Sequence, residues 1–318
     1  MIIDAHVHCA PGALSVLLRA LDLARIDRAV VLAWPGVGEA LVDEAERDGA
    51  GRLRVAFAPD LQLAGTQRWN AELDRIERLA TSLAALKVYK QLSFGIANLD
   101  GRPIGLLSPE LEPLWALAGR AGLPVILHCG DPADFWRARP GLRAQQLVRY
   151  PEWHYANQQG VKARALMYRE RAELVCRHPQ VCFVGAHLGG FPDGPGALEE
   201  YLRLGPVDTS AALEEVLTFD HREVRETIER HHDQIMWGSD LPVGPPPGRD
   251  ALAVKIAAKF LIDSLNLATE SITLPAPTPV TCPWTVPGLG LTGSARAAVL
   301  HQTAARIFWP ADAPAPMR

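Results

Sequence analysis

Histidine and aspartate alternate with apolar residues in the first stretch of the sequence, Met1-Ile-Ile-Asp-Ala-His-Val-His-Cys9. Side chains two residues apart on a strand point to the same face, so the pattern predicts that Asp4, His6 and His8 share one face. Pro11-Gly12 ends this strand and leaves the two imidazoles near its carboxyl end. Two histidines in this arrangement can both bind one cation at about 2.0–2.1 Å. Taken alone, the pattern also fits a pair of neutral core histidines.

Further ionisable residues fall within or at the ends of other predicted strands. Lys87 lies in Leu83–Tyr89, His128 ends Leu123–His128, His187 ends Val181–His187 and Asp240 ends Gln234–Asp240. In a parallel barrel the carboxyl ends of all strands open on one face, where active sites are built. The spacing therefore predicts that these groups converge with the first two histidines on one mouth and form a metal site. Asp240 could instead cap the turn that follows it.

The elements that would position these groups alternate between apolar strands and helices. Further strands are predicted at Arg28–Trp34, Leu53–Ala58 and Val207–Ser210, and helices at Ala13–Ile26, Val37–Gly49, Trp69–Thr81, Glu110–Ala121, Val161–Arg177, Gly196–Leu204, Arg222–His232, Asp250–Asn266 and Ser294–Ile307. Eight buried strands with intervening helices predict an α/β fold, a closed (β/α)8 TIM barrel. One such domain is expected over residues 1–318, with a long loop at about 129–160 and a Pro/Gly-rich excursion at about 274–293.

Composition and charge narrow the class of function. The chain is 48% hydrophobic and has a net charge of −4 with both signs mixed, so neither a nucleic acid nor a membrane is an expected partner. The sequence shows no signal-peptide pattern and no apolar run that approaches a membrane span. Five cysteines without a CxxC pair favour a reduced, cytoplasmic setting. We expect a small-molecule substrate, and formation of a homo-oligomer stays open.

The long loop after the fifth strand is predicted to form a lid over the active face. It combines aromatic residues with arginines, which suits a planar substrate that carries a carboxylate. Asp131, Trp153 and His154 are its candidate substrate contacts. A satellite hydrophobic cluster or a subunit contact would explain the same residues.

Four segments, in this order, resemble the amidohydrolase superfamily: Asp4-x-His6-x-His8, Leu127-His128-Cys-Gly-Asp131, Gly185-Ala-His187-Leu-Gly-Gly190 and Trp237-Gly-Ser-Asp240-Leu-Pro242. The closest resemblance is to the amidohydrolase-related branch, which holds metal-dependent hydrolases of the aminocarboxymuconate-semialdehyde decarboxylase type. It runs from Met1 to about Trp309, and Ala298–Phe308 is similar to the final helix of that branch.

The resemblance implies a ligand set and a division of roles. His6, His8, His128 and Asp240 would bind one divalent metal ion, by preference zinc, with manganese, iron or cobalt as alternatives. His187 would be the acid–base residue, and Asp240 would also take a proton from the bound water.

The segment around Lys87 resembles a different group of enzymes. The segment Leu86-Lys-Val-Tyr-Lys90 resembles the strand of dihydroorotases and hydantoinases whose lysine carries a carboxylate that bridges two metal ions. A carbamate forms only on a neutral amine, so burial would favour it. The other motifs resemble a branch that generally uses one metal and no modified lysine. We therefore predict one metal ion and an unmodified Lys87 that orients substrate or pairs with Asp4, with a second metal through Lys87 as the alternative.

These features predict a metal-dependent hydrolase in which metal-activated water attacks the carbonyl of an amide, lactone or ester, with His187 and Asp240 as catalytic residues. The alternative is a metal-dependent nonoxidative decarboxylase, a lyase that would use the same metal and His187. A non-catalytic metal-binding barrel is the third interpretation, and the complete ligand set argues against it. Because this fold hosts many reactions, the sequence does not name the substrate.

Overall fold

The computed structural model describes residues 1–216, 219–244, 272–273, 285–286 and 288–312. Within these ranges nine strands form one parallel sheet, and its first eight are β1 Ile3–Cys9, β2 Arg28–Leu32, β3 Leu53–Phe57, β4 Leu83–Val88, β5 Val125–Leu127, β6 Phe183–Gly185, β7 Val207–Asp208 and β8 Ile235–Met236. Each strand pairs with the next one in chain order. The predicted helix Asp250–Asn266 and most of the excursion at 274–293 lie outside the described residues.

The residues after β8 return to β1 and close the sheet into a barrel. The backbone N–H of Ala5 donates to the carbonyl of Trp237 at 2.9 Å, and that of Asp240 donates to the carbonyl of His6 at 2.7 Å. A short strand, β9 Leu241–Val243, continues the parallel pairing along β1. The predicted (β/α)8 barrel is confirmed.

Helices follow the strands around the outside of the barrel. They are α1 Leu14–Ala24, α2 Gly38–Asp48, α3 Trp69–Leu79, α4 Glu112–Ala121, α5 Arg164–Arg177, α6 Pro195–Leu202 and α7 His221–Arg230. Apolar residues on one face of each pack against the outer faces of the strands; Leu17 and Leu21 of α1, for example, share a buried cluster with Val31 and Val55. The expected last helix is α8 Gly293–Ala297 and α9 Thr303–Phe308, joined by a π-helical turn, Ala298–Gln302.

The strand β1 departs from strict alternation. Its register against β2 shifts between Asp4 and Val7, as at a β-bulge. Ala5 packs in the barrel interior with Met236, whereas Val7 belongs to the outer core. The prediction that Asp4 shares a face with the two histidines is therefore wrong, since the shift separates it from them.

The helix α9 fills the amino end of the barrel. Ala304 and Phe308 of α9 lie in one buried cluster with interior residues such as Ile3 and Val30. Arg54, near the start of β3, donates to the backbone carbonyl of Phe308. The amino end is thus packed with apolar side chains, and the carboxyl end carries the polar ones.

Two insertions build the carboxyl face. After β4 come a helical turn, Gln91–Phe94, and a small antiparallel pair, Ile96–Ala97 with Pro103–Ile104. The loop at 129–160 holds four short helical segments, Ala133–Trp136, Ala144–Arg149, Pro151–Trp153 and Tyr155–Asn157, and its aromatic rings pack on one another. Among the described residues, no helix has both the length and the apolar character that crossing a membrane requires.

Candidate metal centre

Four histidines and one aspartate meet at the carboxyl end of the barrel. Ligand atoms of His6, His187 and Asp240 lie within 4.8 Å of one another. Asp240 Oδ1 is 3.2 Å from His6 Nε2 and 3.2 Å from His8 Nε2. His187 Nε2 is 3.1 Å from His128 Nδ1. The structure therefore brings together all five residues that the sequence places at strand ends.

Hydrogen bonds behind the first two rings determine which nitrogen faces the centre. His6 Nδ1 lies 2.9 Å from Asp208 Oδ2, so Nδ1 carries the proton and Nε2 is left as a lone pair. No described group forms a hydrogen bond with that buried Nε2. His8 Nδ1 lies 3.4 Å from the hydroxyl of Tyr89. Carboxylate–histidine pairs such as Asp208–His6 orient imidazoles for metal binding.

The other two histidines are fixed by backbone carbonyls. His128 Nε2 donates to Gly130 O at 3.0 Å, and His187 Nδ1 donates to Ser210 O at 2.7 Å. The remaining nitrogens then face each other as two lone pairs 3.1 Å apart. Burial lowers the pKa of His128 to about 4 and that of His187 well below its usual value, so neutral pH supplies no proton to bridge them. A bound cation would relieve this contact.

The donor set fits a divalent transition-metal ion. Two donors about 2.1 Å from one ion, at a tetrahedral angle, lie about 3.4 Å apart. The separations of 3.2 Å from Asp240 Oδ1 to the ring nitrogens of His6 and His8 are close to that value. Neutral imidazoles with one carboxylate suit zinc, manganese, iron or cobalt. An ion here would also give the orphaned Nε2 of His6 a partner.

Asp208 and Ser210 organise the centre from behind, and the sequence analysis did not single them out. Asp208 is fully buried and accepts hydrogen bonds from the backbone N–H of His187 at 3.1 Å and of Ser210 at 3.0 Å. Burial alone would raise its pKa, but the interaction with His6 holds the pKa of Asp208 well below its usual range. The available signal was its position, because Asp208 ends β7 as the metal-ligand candidates end other strands.

The side chain of Asp240 is partly buried, with 27% of it exposed. Burial would raise its pKa, but the neighbouring imidazoles of His6 and His8 hold the pKa of Asp240 well below its usual range. The segment that carries it is attached to β1 by Asp4, which accepts from Ser239 Oγ at 2.6 Å and from Ser239 N at 3.0 Å. Burial raises the pKa of Asp4 to about 7. Asp4 is therefore a structural anchor for the Asp240 turn.

Two of these residues have left-handed backbone conformations. His187 has φ 57° and Asp240 has φ 56°. Non-glycine residues seldom adopt this region, and such strain is concentrated at functional sites. After β6 the chain packs closely on the segment after β5, since a Cβ on Gly190 would collide with the carbonyl oxygen of Cys129. This contact places His187 beside His128.

Lys87 lies in the same region, with its Nζ 5.3 Å from the centre of the Tyr89 ring. Its side chain is 1% exposed, and its Nζ forms no hydrogen bond with any described group. Burial lowers the pKa of Lys87 to about 8. The alternative pairing with Asp4 is not formed, because that carboxylate is bound by Ser239 and the backbone of His6.

Asp131 lies beside the histidine cluster. Its Oδ1 is 3.7 Å from His128 Nε2, and its Oδ2 accepts from Lys90 Nζ at 2.7 Å and from the Tyr155 hydroxyl at 2.6 Å. Asp131 therefore connects the long loop to the segment after β4. Its carboxylate is already neutralised by a cation.

The other two predicted substrate contacts lie within the loop itself. Trp153 stacks on Tyr150 with ring centroids 4.4 Å apart. His154 has both ring nitrogens engaged, Nε2 with Arg137 O at 2.9 Å and Nδ1 with Asn157 Nδ2 at 2.9 Å. These contacts agree with the alternative of a packed satellite cluster, in which the aromatic rings stabilise the loop.

Comparisons with known proteins agree with the fold and the motifs. The amidohydrolase family model matches residues 6–308, so the chain belongs to that family. A solved structure named amidohydrolase 2, from Bifidobacterium longum subsp. infantis, is 12% identical, with 96% of this chain and 98% of that chain covered and a TM-score of 0.51. A dihydroorotase from Campylobacter jejuni is 14% identical over 75% of this chain and 69% of that chain, with a TM-score of 0.47. No curated protein matches the sequence.

Proposed function

We propose that this protein is a metal-dependent hydrolase that cleaves an amide, lactone or ester bond of a small molecule. One observation carries the proposal: the rings of His6, His128 and His187, each held by a hydrogen bond on its other nitrogen, converge with the carboxylate of Asp240 at one point. Such an arrangement is costly unless a cation binds there. Membership of the amidohydrolase family supports hydrolysis as the reaction.

The proposed ligands are His6, His8, His128 and Asp240. A divalent ion in this position, zinc by preference, would lower the pKa of a bound water toward about 7 and polarise a carbonyl group. Asp240 is the proposed proton acceptor for the attacking water, since its carboxylate is ionised and lies at the centre. Histidine binds metal in its neutral form, which burial favours by lowering the pKa of His8, His128 and His187.

His187 is the proposed acid–base residue. Its Nδ1 donates to Ser210 O at 2.7 Å, which fixes the ring and directs Nε2 to the centre. Because this nitrogen holds no proton at rest, it would pass on to the leaving atom of the substrate the proton that Asp240 takes from the water. Because His187 also belongs to the close group with His6 and Asp240, metal binding by Nε2 is the competing role.

A substrate panel with metal analysis tests the proposal. The purified protein, with added zinc or manganese, would be offered lactones, amides, esters, and aromatic or muconate-like carboxylic acids. Release of acid that is lost in Asp240→Asn supports hydrolysis. Release of carbon dioxide would replace the proposal with the nonoxidative decarboxylase, and bound metal without turnover across the panel would favour a non-catalytic barrel.

A further inference from the structure

The turn after β6, which carries His187, has a left-handed backbone over five consecutive residues. Their φ angles are 57° at His187, 54° at Leu188, 82° at Gly189, 117° at Gly190 and 60° at Phe191. Three of the five carry side chains, for which this conformation is unfavourable. Contacts from the rest of the protein must therefore hold the turn in place.

One face of the helix α5 supplies those contacts. Donors spaced four and three residues apart along the helix lie on the same face. They bind three successive carbonyl groups of the turn: Arg171 donates to Gly189, Tyr168 to Gly190 and Arg164 to Phe191. The bond from Arg171 Nη1 to the carbonyl of Gly189 is 2.6 Å long. The last three carbonyls of the left-handed turn are thus fixed from one side.

The same helix face also binds the segment that follows β5. Arg164 Nε donates to the carbonyl of Asp131 at 3.0 Å. The segment from His128 to Asp131 and the turn after His187 are therefore both attached to α5. This shared support accounts for two buried rings that approach to 3.1 Å although neither nitrogen carries a proton for the other.

Arg171 is the most costly of these contacts. Its side chain is 1% exposed, and its Nε has no hydrogen-bond partner among the described residues. No described carboxylate forms an ion pair with it, and its nearest charge-stabilising neighbour is the ring of Tyr201, 5.3 Å from Cζ. A buried charge without a counterion lowers the stability of a fold. Stability alone therefore does not explain an arginine at this position.

The turn is shaped to receive this guanidinium group. A Cβ on Gly185 would collide with Arg171 Nη2, and a Cβ on Gly189 would come within 2.7 Å of Nη1. Both glycines thus leave space that the planar, forked group fills. The fit places the guanidinium directly beneath the backbone that carries His187.

We infer that Arg171 is a positioning residue: its guanidinium, together with the hydroxyl of Tyr168, holds the left-handed turn so that His187 Nε2 stays directed at the candidate metal centre. The role of Arg171 deepens the proposed function and rests on it for the catalytic part that His187 plays. Arg171 acts through the backbone of the turn, since its one hydrogen bond goes to the carbonyl of Gly189.

The proton on His187 Nδ1 reports the position of the ring without turnover. This proton binds the carbonyl of Ser210, with a nitrogen–oxygen distance of 2.7 Å. In chelator-treated protein labelled with ¹⁵N at histidine, its NMR resonance is identified by its absence from His187→Asn, and its exchange with water is measured. We expect Arg171→Met to accelerate this exchange about tenfold or more, because a released turn lets the ring leave Ser210. Wild-type exchange in the folded variant would overturn the inference.

Three further variants make the measurement specific. Arg171→Lys keeps a donor and the charge, so it should restore most of the protection that Arg171→Met loses. Arg169→Met is the matched control, since Arg169 lies on the same helix and is exposed. Tyr168→Phe removes one hydroxyl and should accelerate exchange to a smaller extent. If Arg171→Met does not fold, as judged by circular dichroism, wild-type exchange in Tyr168→Phe overturns the inference.

Kinetics test whether Arg171 acts through His187. Arg171→Met should lower kcat about tenfold while KM and metal content stay unchanged, since misplacement of a catalytic group slows the chemical step. In the His187→Asn background the same substitution should have no further effect on kcat. An equal loss in both backgrounds would overturn the inference.

The two measurements distinguish failure of the inference from failure of the proposed function. Faster exchange in Arg171→Met, with rescue in Arg171→Lys, supports the positioning role even when no hydrolysis is found. Conversely, hydrolysis by the wild type with unchanged exchange in Arg171→Met would support the proposed function and overturn the inference.

Discussion

The two ends of the barrel are equally buried and yet differ in what their side chains require. At the amino end, Ile3, Val30 and Phe308 are fully buried and need only neighbouring apolar atoms. At the carboxyl end, His6 and Lys87 are also buried, and each keeps a nitrogen without a hydrogen-bond partner. Burial is favourable for the first group and costs about 1–3 kcal/mol for each unsatisfied polar atom of the second.

This difference assigns stability to one end and ligand binding to the other. A fold gains nothing from unpaired polar atoms in its interior, so their retention at the carboxyl end points to a partner that is bound during function. Substitutions at the two ends should therefore have different effects. Those at the amino end should lower the free energy of unfolding, and those at the carboxyl end should remove metal or activity from a folded protein.

The largest effect is expected for His6→Ala and His128→Ala. Each removes a proposed ligand, which leaves too few donors to hold the ion, so both metal content and turnover should be lost. Elemental analysis of the purified variants, with circular dichroism as a control for folding, measures this. Full metal occupancy in both variants would contradict the assignment of the centre.

A substitution at the amino end of the barrel, Phe308→Ala, should leave the metal centre intact and weaken the fold. Removing a fully buried aromatic side chain typically costs about 3–5 kcal/mol of unfolding free energy. Urea denaturation measures that loss, and metal content per folded chain shows whether the metal centre is unaffected. If this variant lost its metal while still folded, the division between the ends would fail.

The strand positions and the cluster could be predicted from the sequence because their signals are local. Apolar runs identify buried strands, and a polar residue at the end of each run marks the open face, as for His128 and Asp240. Asp208 follows the same rule, but its strand is only two residues long, so the apolar run before it is a weak signal.

Other features depend on long-range contacts that a sequence does not display. The β-bulge that separates Asp4 from His6 arises in the pairing of β1 with β2, and alternation alone could not reveal it. The position of His154 in a long aromatic loop likewise does not reveal that its ring nitrogens contact Arg137 O and Asn157 Nδ2 within that loop.

His187→Asn tests the next contact within the carboxyl end. If His187 is the acid–base residue, the variant should keep its metal and lose about a hundredfold or more in kcat, the usual range for such a group. Steady-state kinetics and metal analysis of one preparation measure both quantities. Loss of the metal would instead show that Nε2 is a ligand, as its distance to His6 and Asp240 also allows.

The pH dependence of stability should also originate at the carboxyl end. The pKa of His128 falls from 6.5 to about 4 on burial. Between these pH values the unfolded chain therefore binds a proton that the folded chain does not bind. The resulting stability is complete above pH 6.5 and is lost as the pH falls toward 4. In metal-stripped protein, this contribution is on the order of 3 kcal/mol.

Denaturation of wild type and His128→Asn at several pH values measures that contribution. The difference in unfolding free energy between the two proteins should shrink, in favour of the variant, between pH 6.5 and 4. The raised pKa of Asp4, about 7, acts with the opposite sign, but it is present in both proteins and cancels in the difference. If the difference in unfolding free energy does not change with pH, the pKa shift of His128 is not the cause of the pH dependence.

The smallest expected effect concerns bicarbonate and Lys87. If four residues bind one ion, Lys87 and His187 remain without a role as ligands. A second ion would need these two, with a carboxylated Lys87 as the bridge. The buried amine, with its pKa lowered to about 8, meets the condition for carboxylation. The other motifs nevertheless resemble a branch that generally uses one metal and no modified lysine, so we predict an unmodified lysine and about one equivalent of metal per chain. Added bicarbonate should then leave kcat unchanged, and intact-protein mass should match the sequence. Two equivalents of metal together with the extra mass of a carboxyl group on Lys87 would reverse the prediction and favour ring-opening or amide hydrolysis at a binuclear centre.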